Sequence, residues 1–268
     1  MDELISVQEA ARLLGVGVSS VKRWADAGLL TCEKTPGRHR RFLRSEIEAL
    51  LRKRRGQYGG VAFADHKVAE VLLSDGDATI VDRALAEVRA RAGSWAVAAD
   101  ALAPALEEIG ELWSRGTITV VQEHVASERL ARGLARVADD LPTRRGAPAA
   151  LLFVAEGEEH TLGISLAEVV LREAGWTVQW GGRRTSVEEV RAFVDRHPLA
   201  MLAVSASAVS SDPAPLARQA DALARVCRPA NVTLVFGGRG AWPDPLPFGL
   251  RMHSFEELAR RLARKENA

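Results

Sequence analysis

The sequence is poor in cysteine. Its 268 residues include only Cys32 and Cys227, which lie far apart in the chain, so a disulfide framework or a cysteine-rich metal site is excluded. No apolar run approaches the roughly 20 residues that cross a membrane. The acidic start, Met1-Asp2-Glu3, lacks the layout of a signal peptide. We therefore expect a cytoplasmic protein with no membrane partner.

The chain as a whole has almost no net charge (+1). The charges are nevertheless distributed unevenly along the sequence. Residues 1–56 carry 12 Lys and Arg against 7 Asp and Glu, whereas residues 57–268 carry 24 against 28. A basic module on an acidic body is typical of a nucleic-acid-binding protein. The alternative is a basic face that is merely solvated.

Residues 1–56 have the pattern of a winged helix-turn-helix. Ser6-Val7-Gln8-Glu9 is a capping box that starts one helix, and Ser19 or Ser20 caps a second. Residues 35–42 combine a Pro-Gly turn with a basic run, which predicts a short β-wing. A third helix follows from Ser45. Two short helices around a Gly-containing turn, with a wing behind them, favour DNA binding over a solvated face.

This module resembles the DNA-binding domain of MerR and excisionase-type proteins, on its Ser-Val-Gln-Glu-Ala-Ala start, its Val-x-x-Trp helix and its Thr-Pro-Gly-x-His-Arg-Arg-Phe wing. We expect the start of the second helix to enter the major groove and the wing to hold phosphates or reach the minor groove. Trp24 and Phe42 are predicted to be core residues. The candidate DNA-binding residues are Ser19, Ser20, Lys22, Arg23, Arg38, His39, Arg40 and Arg41.

The middle of the chain, residues 61–142, predicts a four-helix bundle. Apolar residues recur at helical spacing over 63–73, 79–92, 95–109 and 119–138. Glycines and a proline mark the predicted breaks between the helices: Gly76, Gly93, Gly110, Gly116 and Pro142.

Residues 148–268 alternate short apolar strands with helical patterns, which predicts a doubly wound, parallel α/β domain of the Rossmann or flavodoxin-like class. The strands are expected at 149–155, 177–180, 200–205, 232–236 and 250–252, and the helices at 162–174, 187–195, 216–226 and 255–264. His160 then lies in a strand-to-helix loop at the carboxyl edge of the sheet, where such folds bind ligands. The first strand lacks a following Gly-x-Gly-x-x-Gly, and no strand ends in an Asp typical of a response regulator.

Glu158-x-His160-x-x-Gly163 is followed by 41 residues and Ser205-x-Ser207, and after 29 more by Gly237-Gly238. This resembles the cobalamin-binding fingerprint of methionine synthase, the corrinoid mutases and CarH-type regulators. The resemblance implies that His160 binds cobalt and that Glu158 hydrogen-bonds its imidazole. It also implies that Ser205, Ser207, Gly237 and Gly238 line the nucleotide tail, although Ser207 replaces the usual leucine.

In the bundle, Trp113 is followed by nine residues and then Glu123-His124. This spacing resembles the cap domain of CarH-type cobalamin-dependent photoreceptor regulators, where these residues lie over the upper face of the corrin. A core tryptophan beside a surface helix is the alternative. The best-known members of that family carry a histidine after the tryptophan that ligates cobalt after photolysis, and here the position is Ser114. A water or His124 is the expected substitute.

The combined resemblance implies a light-responsive repressor in which adenosylcobalamin controls oligomerisation and operator DNA binding. A homotetramer in the dark is expected, methylcobalamin is the alternative cofactor, and no enzymatic activity is expected. Two other functions stay open: a methyl-carrying corrinoid enzyme subunit, and a repressor that senses cobalamin without light. The expected domains are 1–56, 61–142 and 148–268.

The basic N-terminal module predicts that binding to mixed-sequence duplex DNA weakens steeply with salt, because each phosphate contact releases counterions. Titrations at low and physiological salt measure this dependence. An affinity that barely changes between them would contradict the DNA-binding assignment.

Overall fold

The computed structural model describes residues 4–14, 21–22, 25, 30–34, 40–47 and 65–265. Its N-terminal part contains β1 (Leu4–Ser6), α1 (Val7–Leu14), β2 (Glu33–Lys34) and β3 (Arg40–Leu43), and the three strands form an antiparallel sheet in the order β1-β3-β2.

The N-terminal part of the predicted capping box is seen in the Ser6 hydroxyl, which accepts the amide N–H of Glu9 at 3.1 Å. The predicted wing forms from β2 and β3. Strand β1 was not predicted, because three residues are too few to show a period. Phe42 is buried in the small core beside Ile5 and Ile47, as expected, whereas Trp24 lies outside the described residues.

The bundle consists of α2 (Asp65–Leu73), α3 (Ala78–Ala92), α4 (Trp95–Ser114) and α5 (Val120–Asp140). The side chains of Asp77, Ser94 and Thr119 cap the last three of these helices. No helix in the described part of the chain is long and apolar enough to cross a membrane.

The prediction that Gly110 ends a helix is wrong, because α4 continues through it to Ser114. A glycine inside a helix costs about 1 kcal/mol relative to alanine. Packing outweighs that cost here: Ala105 and Ile109 are buried in the bundle core, and the partly buried Leu106 packs against it.

The C-terminal domain follows the predicted alternation: β4 (Ala149–Val154), α6 (Leu162–Glu173), β5 (Thr177–Gly182), α7 (Val187–Val194), β6 (Met201–Ser205), α8 (Pro213–Cys227), β7 (Thr233–Gly237), β8 (Leu250–Arg251) and α9 (Phe255–Lys265). All neighbouring strands are parallel, in the order β5-β4-β6-β7-β8. The multidomain α and α/β fold class is therefore confirmed.

The two faces of this sheet are covered differently. One face packs against α7 and α8 through residues such as Phe153, Val190 and Leu223. The other face packs against α6 and α9 and shares one apolar core with the bundle, which includes Leu152 of the sheet and Leu102 of α4. The bundle and the α/β domain are therefore stabilised by common burial of apolar surface.

A polar contact reinforces this junction. The carboxylate of Asp100 in α4 accepts the amide N–H groups of Phe255 at 2.9 Å and Glu256 at 3.0 Å, at the start of α9. Burial raises the pKa of Asp100 despite these two hydrogen bonds. A side chain of the bundle thus caps a helix of the α/β domain.

We predict that Asp100→Ala lowers the free energy of unfolding by roughly 1–2 kcal/mol, because two helix N–H groups lose their acceptor. Asp100→Asn should lower the free energy of unfolding by less, since one acceptor oxygen remains. Urea unfolding of both variants measures the effect. The control is Asp212→Ala, which removes a cap on α8 that lies within the α/β domain.

If the Asp100 and Asp212 variants unfold identically, with unchanged cooperativity in each, Asp100 has no special role at the junction. A broadened or biphasic transition confined to Asp100→Ala is the result expected of a residue that joins two domains.

Candidate functional site

Glu158 lies at the centre of the loops at the carboxyl edge of the sheet. Its side chain is only 2% exposed. Its Oε1 accepts the backbone N–H groups of Glu159 at 3.0 Å and His160 at 2.9 Å. Its Oε2 accepts the backbone N–H of Ser207 at 2.7 Å and the hydroxyl of Ser210 at 2.8 Å. One buried carboxylate therefore joins the β4–α6 loop to the β6–α8 loop.

The hydrogen bonds decide the charge of this carboxylate. Burial on its own raises the pKa of Glu158, but the hydrogen bonds from Ser207 and His160 outweigh it and lower the pKa to about 2. Glu158 is therefore an anion at neutral pH, and it is an acceptor for whatever donors surround it.

His160 is held by one edge of its ring. Its Nδ1 lies 2.5 Å from Oε1 of Glu158 and 3.4 Å from the Ser207 hydroxyl, yet the side chain is 60% exposed. Because an anionic carboxylate is an acceptor, the hydrogen-bond network assigns the proton to Nδ1. The Nε2 lone pair is then available at the exposed edge of the ring, as in a metal-binding histidine oriented by a carboxylate.

Gly163 of the fingerprint and two of the predicted tail-lining residues, Ser205 and Gly238, converge beside this loop. A Cβ at Gly163 would lie 2.9 Å from the Ser205 hydroxyl, and one at Gly238 would lie 3.0 Å from the same hydroxyl. Gly238 also has a φ of +77°, a conformation that favours glycine. Both glycines are therefore needed for the close approach of α6 and the β7–β8 loop to Ser205.

Two other predicted tail residues have contacts within the protein. Gly237 is the last residue of β7, and its carbonyl accepts the indole N–H of Trp242 at 2.9 Å. Ser207 donates its backbone N–H to Glu158 and so belongs to the histidine network. A role of Ser207 and Gly237 at the nucleotide tail stays a prediction.

The predicted cap residues lie where α4 ends and α5 begins. Trp113 is 50% exposed, so the alternative of a core tryptophan is wrong. Ser114 donates its hydroxyl to the carbonyl of Glu111 at 2.9 Å. Glu123 accepts the hydroxyl of Ser127 at 2.8 Å and lies 3.6 Å from Nε2 of His124, whose side chain is 73% exposed.

The two halves of the site are linked by an ion pair that the sequence did not reveal. Arg239, directly after Gly238, pairs with Glu107 of α4. The same helix thus touches the β7–β8 loop and, two turns later, carries Trp113. This contact sets α4 against the carboxyl edge of the sheet.

Other contacts at this edge were also missed. Arg183 and Arg184, after β5, pair with Glu159 at 3.6 and 3.1 Å, and Arg184 has a φ of +58°. Ser210 and these arginines belong to no sequence motif, so only their position in the fold shows that they contribute to this edge.

Only part of the predicted DNA interface falls within the described residues. Lys22 is exposed, and Arg40 donates to the backbone carbonyl of Lys22 at 2.8 Å. Arg40 and Arg41 belong to β3 of the wing. Arg40 thus ties the wing to the backbone of Lys22, and its contact with phosphate stays a prediction. Ser19, Ser20, Arg23, Arg38 and His39 lie outside the described residues.

Several parts of the chain are similar to known proteins. Residues 4–55 match the model of a helix-turn-helix domain, and residues 70–138 match that of a B12 binding domain. The chain is 28% identical over 223 residues to the HTH-type transcriptional repressor CarH of Myxococcus xanthus, which covers 70% of this chain and 74% of that protein.

A likeness to a solved structure supports the fold. The monomethylamine corrinoid protein of Methanosarcina barkeri superposes with a TM-score of 0.56 at 16% identity, covering 75% of this chain and 98% of that chain. At this identity the likeness shows the fold alone. The chain thus has a CarH-like architecture: a helix-turn-helix domain, a helical B12 binding domain and a parallel α/β domain.

We predict that Glu158→Gln destabilises the cofactor-free protein at neutral pH by up to roughly 3 kcal/mol, since each pKa unit corresponds to about 1.4 kcal/mol. The pKa of Glu158 is depressed, so its charge stabilises the fold above the ordinary carboxyl pKa, and this stability is lost as pH falls towards 2.

Denaturant unfolding between pH 7 and pH 3 measures the difference. The gap between the wild type and Glu158→Gln should narrow as the pH decreases. Glu159→Gln is the control, because that carboxylate is half-exposed and pairs with surface arginines. A gap for Glu158→Gln that is independent of pH would contradict the assigned charge.

Proposed function

We propose that the protein is a cobalamin-binding transcriptional repressor that responds to light. One observation carries the proposal: the exposed His160 imidazole is held through Nδ1 by the buried Glu158 carboxylate at 2.5 Å. The same chain also matches a helix-turn-helix domain. A single oriented imidazole suits a metal whose other ligands come from a macrocycle. The site therefore fits a corrinoid.

The residues of the α/β domain would hold the cofactor from below. His160 would bind cobalt, and Glu158 would keep its ring oriented and basic. Gly163, Ser205, Ser207, Gly237 and Gly238 would line the nucleotide tail. Because Gly163, Ser205 and Gly238 pack closely around one hydroxyl, a tail inserted there would have to separate α6 from the β7–β8 loop.

The residues of the bundle would cover the upper face. Trp113 presents an exposed apolar ring, and Glu123 and His124 offer polar groups near the start of α5. When bound, adenosylcobalamin supplies a cobalt–carbon bond that light breaks. The contacts of Trp113 would then differ between the dark and the illuminated protein, which is the differential interaction that a switch requires.

Repression would depend on the association of several chains. A single small helix-turn-helix module binds DNA weakly, whereas linked modules gain affinity through their effective concentration. We therefore propose a dark homo-oligomer, a tetramer by analogy with the expected family, that binds operator DNA and separates in light.

Ser114 distinguishes this chain from family members that carry histidine there. A serine hydroxyl is a poor substitute for imidazole as a cobalt ligand. We propose that water or His124 occupies that role after illumination. A bis-imidazole spectrum that persists in a His124→Ala variant would exclude His124.

The helix-turn-helix domain favours a regulator over the alternative of a methyl-carrying corrinoid subunit, which has no need for DNA binding. A repressor that senses cobalamin without light shares every contact described above. Only photochemistry separates that alternative from the proposed function.

We predict that the wild type binds adenosylcobalamin in the dark and that green light changes its absorbance, its elution volume and its affinity for DNA. His160→Ala should shift the spectrum or weaken binding at least about 10-fold, in line with the loss of a metal ligand or its support. The control is His253→Ala, which replaces an exposed histidine whose backbone N–H contacts Glu257.

A protein that binds adenosylcobalamin but shows no change in elution or DNA affinity on illumination would be a light-independent sensor. A protein that binds no cobalamin at all would refute the proposed function.

A further inference from the structure

The β6–α8 loop has an apolar tip between polar residues. Ala208 and Val209 lie between Ser207 and Ser210, and both are exposed. The side chain of Val209 is 74% exposed, which is the largest fraction among the large apolar residues in the described part of the chain. A single exposed valine is common on protein surfaces. Its surroundings therefore decide whether Val209 belongs to a binding site.

The backbone around Val209 is held by several hydrogen bonds. The amide N–H of Val209 donates to the Ser207 hydroxyl at 3.3 Å, and its carbonyl accepts the amide N–H of Ser211 at 2.8 Å. The amide of Ser210 donates to the carbonyl of Ser207 at 3.1 Å, and the carbonyl of Ser210 accepts the amide N–H of Ala241 at 3.0 Å. The loop thus presents the valine to solvent on a turn whose backbone is fixed on both sides.

Val209 lies close to the exposed imidazole of His160. The Ser207 hydroxyl that accepts the Val209 amide is also 3.4 Å from Nδ1 of His160. Because the two contacts share one oxygen atom, the amide nitrogen of Val209 lies within about 7 Å of Nδ1. The buried Glu158 joins the same two loops. An apolar side chain and a potential metal ligand are therefore exposed side by side at the carboxyl edge of the sheet.

This pairing suits a flat macrocycle more than a metal ion alone. The plane of a corrin ring is perpendicular to its axial metal–nitrogen bond, so a ring bound through Nε2 of His160 would extend sideways over the neighbouring loops. The face of such a ring is mostly carbon, and it gains from burial against methyl groups. Val209 offers those methyl groups within a loop whose other exposed groups are largely polar.

We propose that Val209 is a binding residue for the lower face of the corrin ring, beside the cobalt-binding His160. This inference rests on the proposed function and deepens it, because it assigns part of the affinity to the macrocycle itself. That contribution is separate from the metal bond of His160. It is also separate from the nucleotide tail, whose predicted lining at Gly163 and Gly238 packs around the Ser205 hydroxyl.

The test uses Val209→Thr, which keeps the shape of the side chain but replaces a methyl by a hydroxyl, and Val209→Ala, which removes two methyl groups. Each full-length variant is titrated in the dark with hydroxocobalamin and with aquocobinamide, a corrinoid that lacks the nucleotide tail. The absorbance spectrum at saturation and the melting temperature without corrinoid are also measured. The control is Ile80→Thr, which makes the same kind of change at a residue of α3 that is 37% exposed.

We expect Val209→Thr to weaken the binding of both corrinoids by about 5- to 30-fold, because the ring would cover an unpaired hydroxyl. Val209→Ala should weaken both by about 3- to 10-fold through lost methyl contacts. The spectrum at saturation should match that of the wild type, since His160 still binds the metal. The melting temperature without corrinoid should not change, since Val209 is exposed. Ile80→Thr should leave both affinities unchanged.

Three results would overturn the role of Val209 and leave the proposed function intact. The first is a change below about 2-fold for both corrinoids in both variants. The second is a loss confined to hydroxocobalamin, or a wild type that binds hydroxocobalamin but not aquocobinamide, since the ring would then contribute too little. The third is a shifted spectrum at saturation, which would place the effect at the metal bond. A wild type that binds neither corrinoid would instead refute the proposed function, and this inference with it.

Discussion

The candidate site depends on one buried anion. A carboxylate taken out of water is costly unless hydrogen bonds replace its solvation, and Glu158 receives donors from Ser207, Ser210 and two amides of its own loop. The parallel sheet makes this possible, because β4 and β6 are neighbouring parallel strands and the loops that follow them begin at the same edge. The same carboxylate also orients His160. A change that removed its charge would therefore disturb both the joining of the two loops and the orientation of the imidazole.

A second constraint is the core that the bundle shares with one face of the sheet. Trp95, Leu102 and Val170 belong to the same apolar cluster, and Glu173 of α6 accepts from Arg89 and from the amide of Trp95. Helix α4 is therefore fixed along its first turns, and Glu107 further along it pairs with Arg239 of the β7–β8 loop.

The sequence predicted most of this fold because its elements are strongly periodic or strongly apolar. The strands around Leu152 and Val204 and the loop position of His160 followed from such patterns. Gly110 was mistaken for a helix end because propensity is local, whereas packing by Ile109 and its neighbours decides whether α4 continues. Ser210 and Arg184 were missed because isolated polar residues in loops acquire partners only when the chain folds. The motif residues between 15 and 20 and between 35 and 39 lie outside the described structure.

The two halves of the site differ in how firmly they are held, and this difference indicates where a conformational change would occur. Below, Glu158 is buried and makes short hydrogen bonds whose loss is costly. Above, Trp113 and His124 are exposed, and the link between Glu107 and Arg239 is a surface ion pair of a kind worth about 0–1 kcal/mol. A disturbance at the upper face would thus move the end of α4 before it moved His160. In the proposed function Ser114 offers no imidazole to a bound cobalt, so the new position of α4 would have to be set by apolar contacts around Trp113 or by His124.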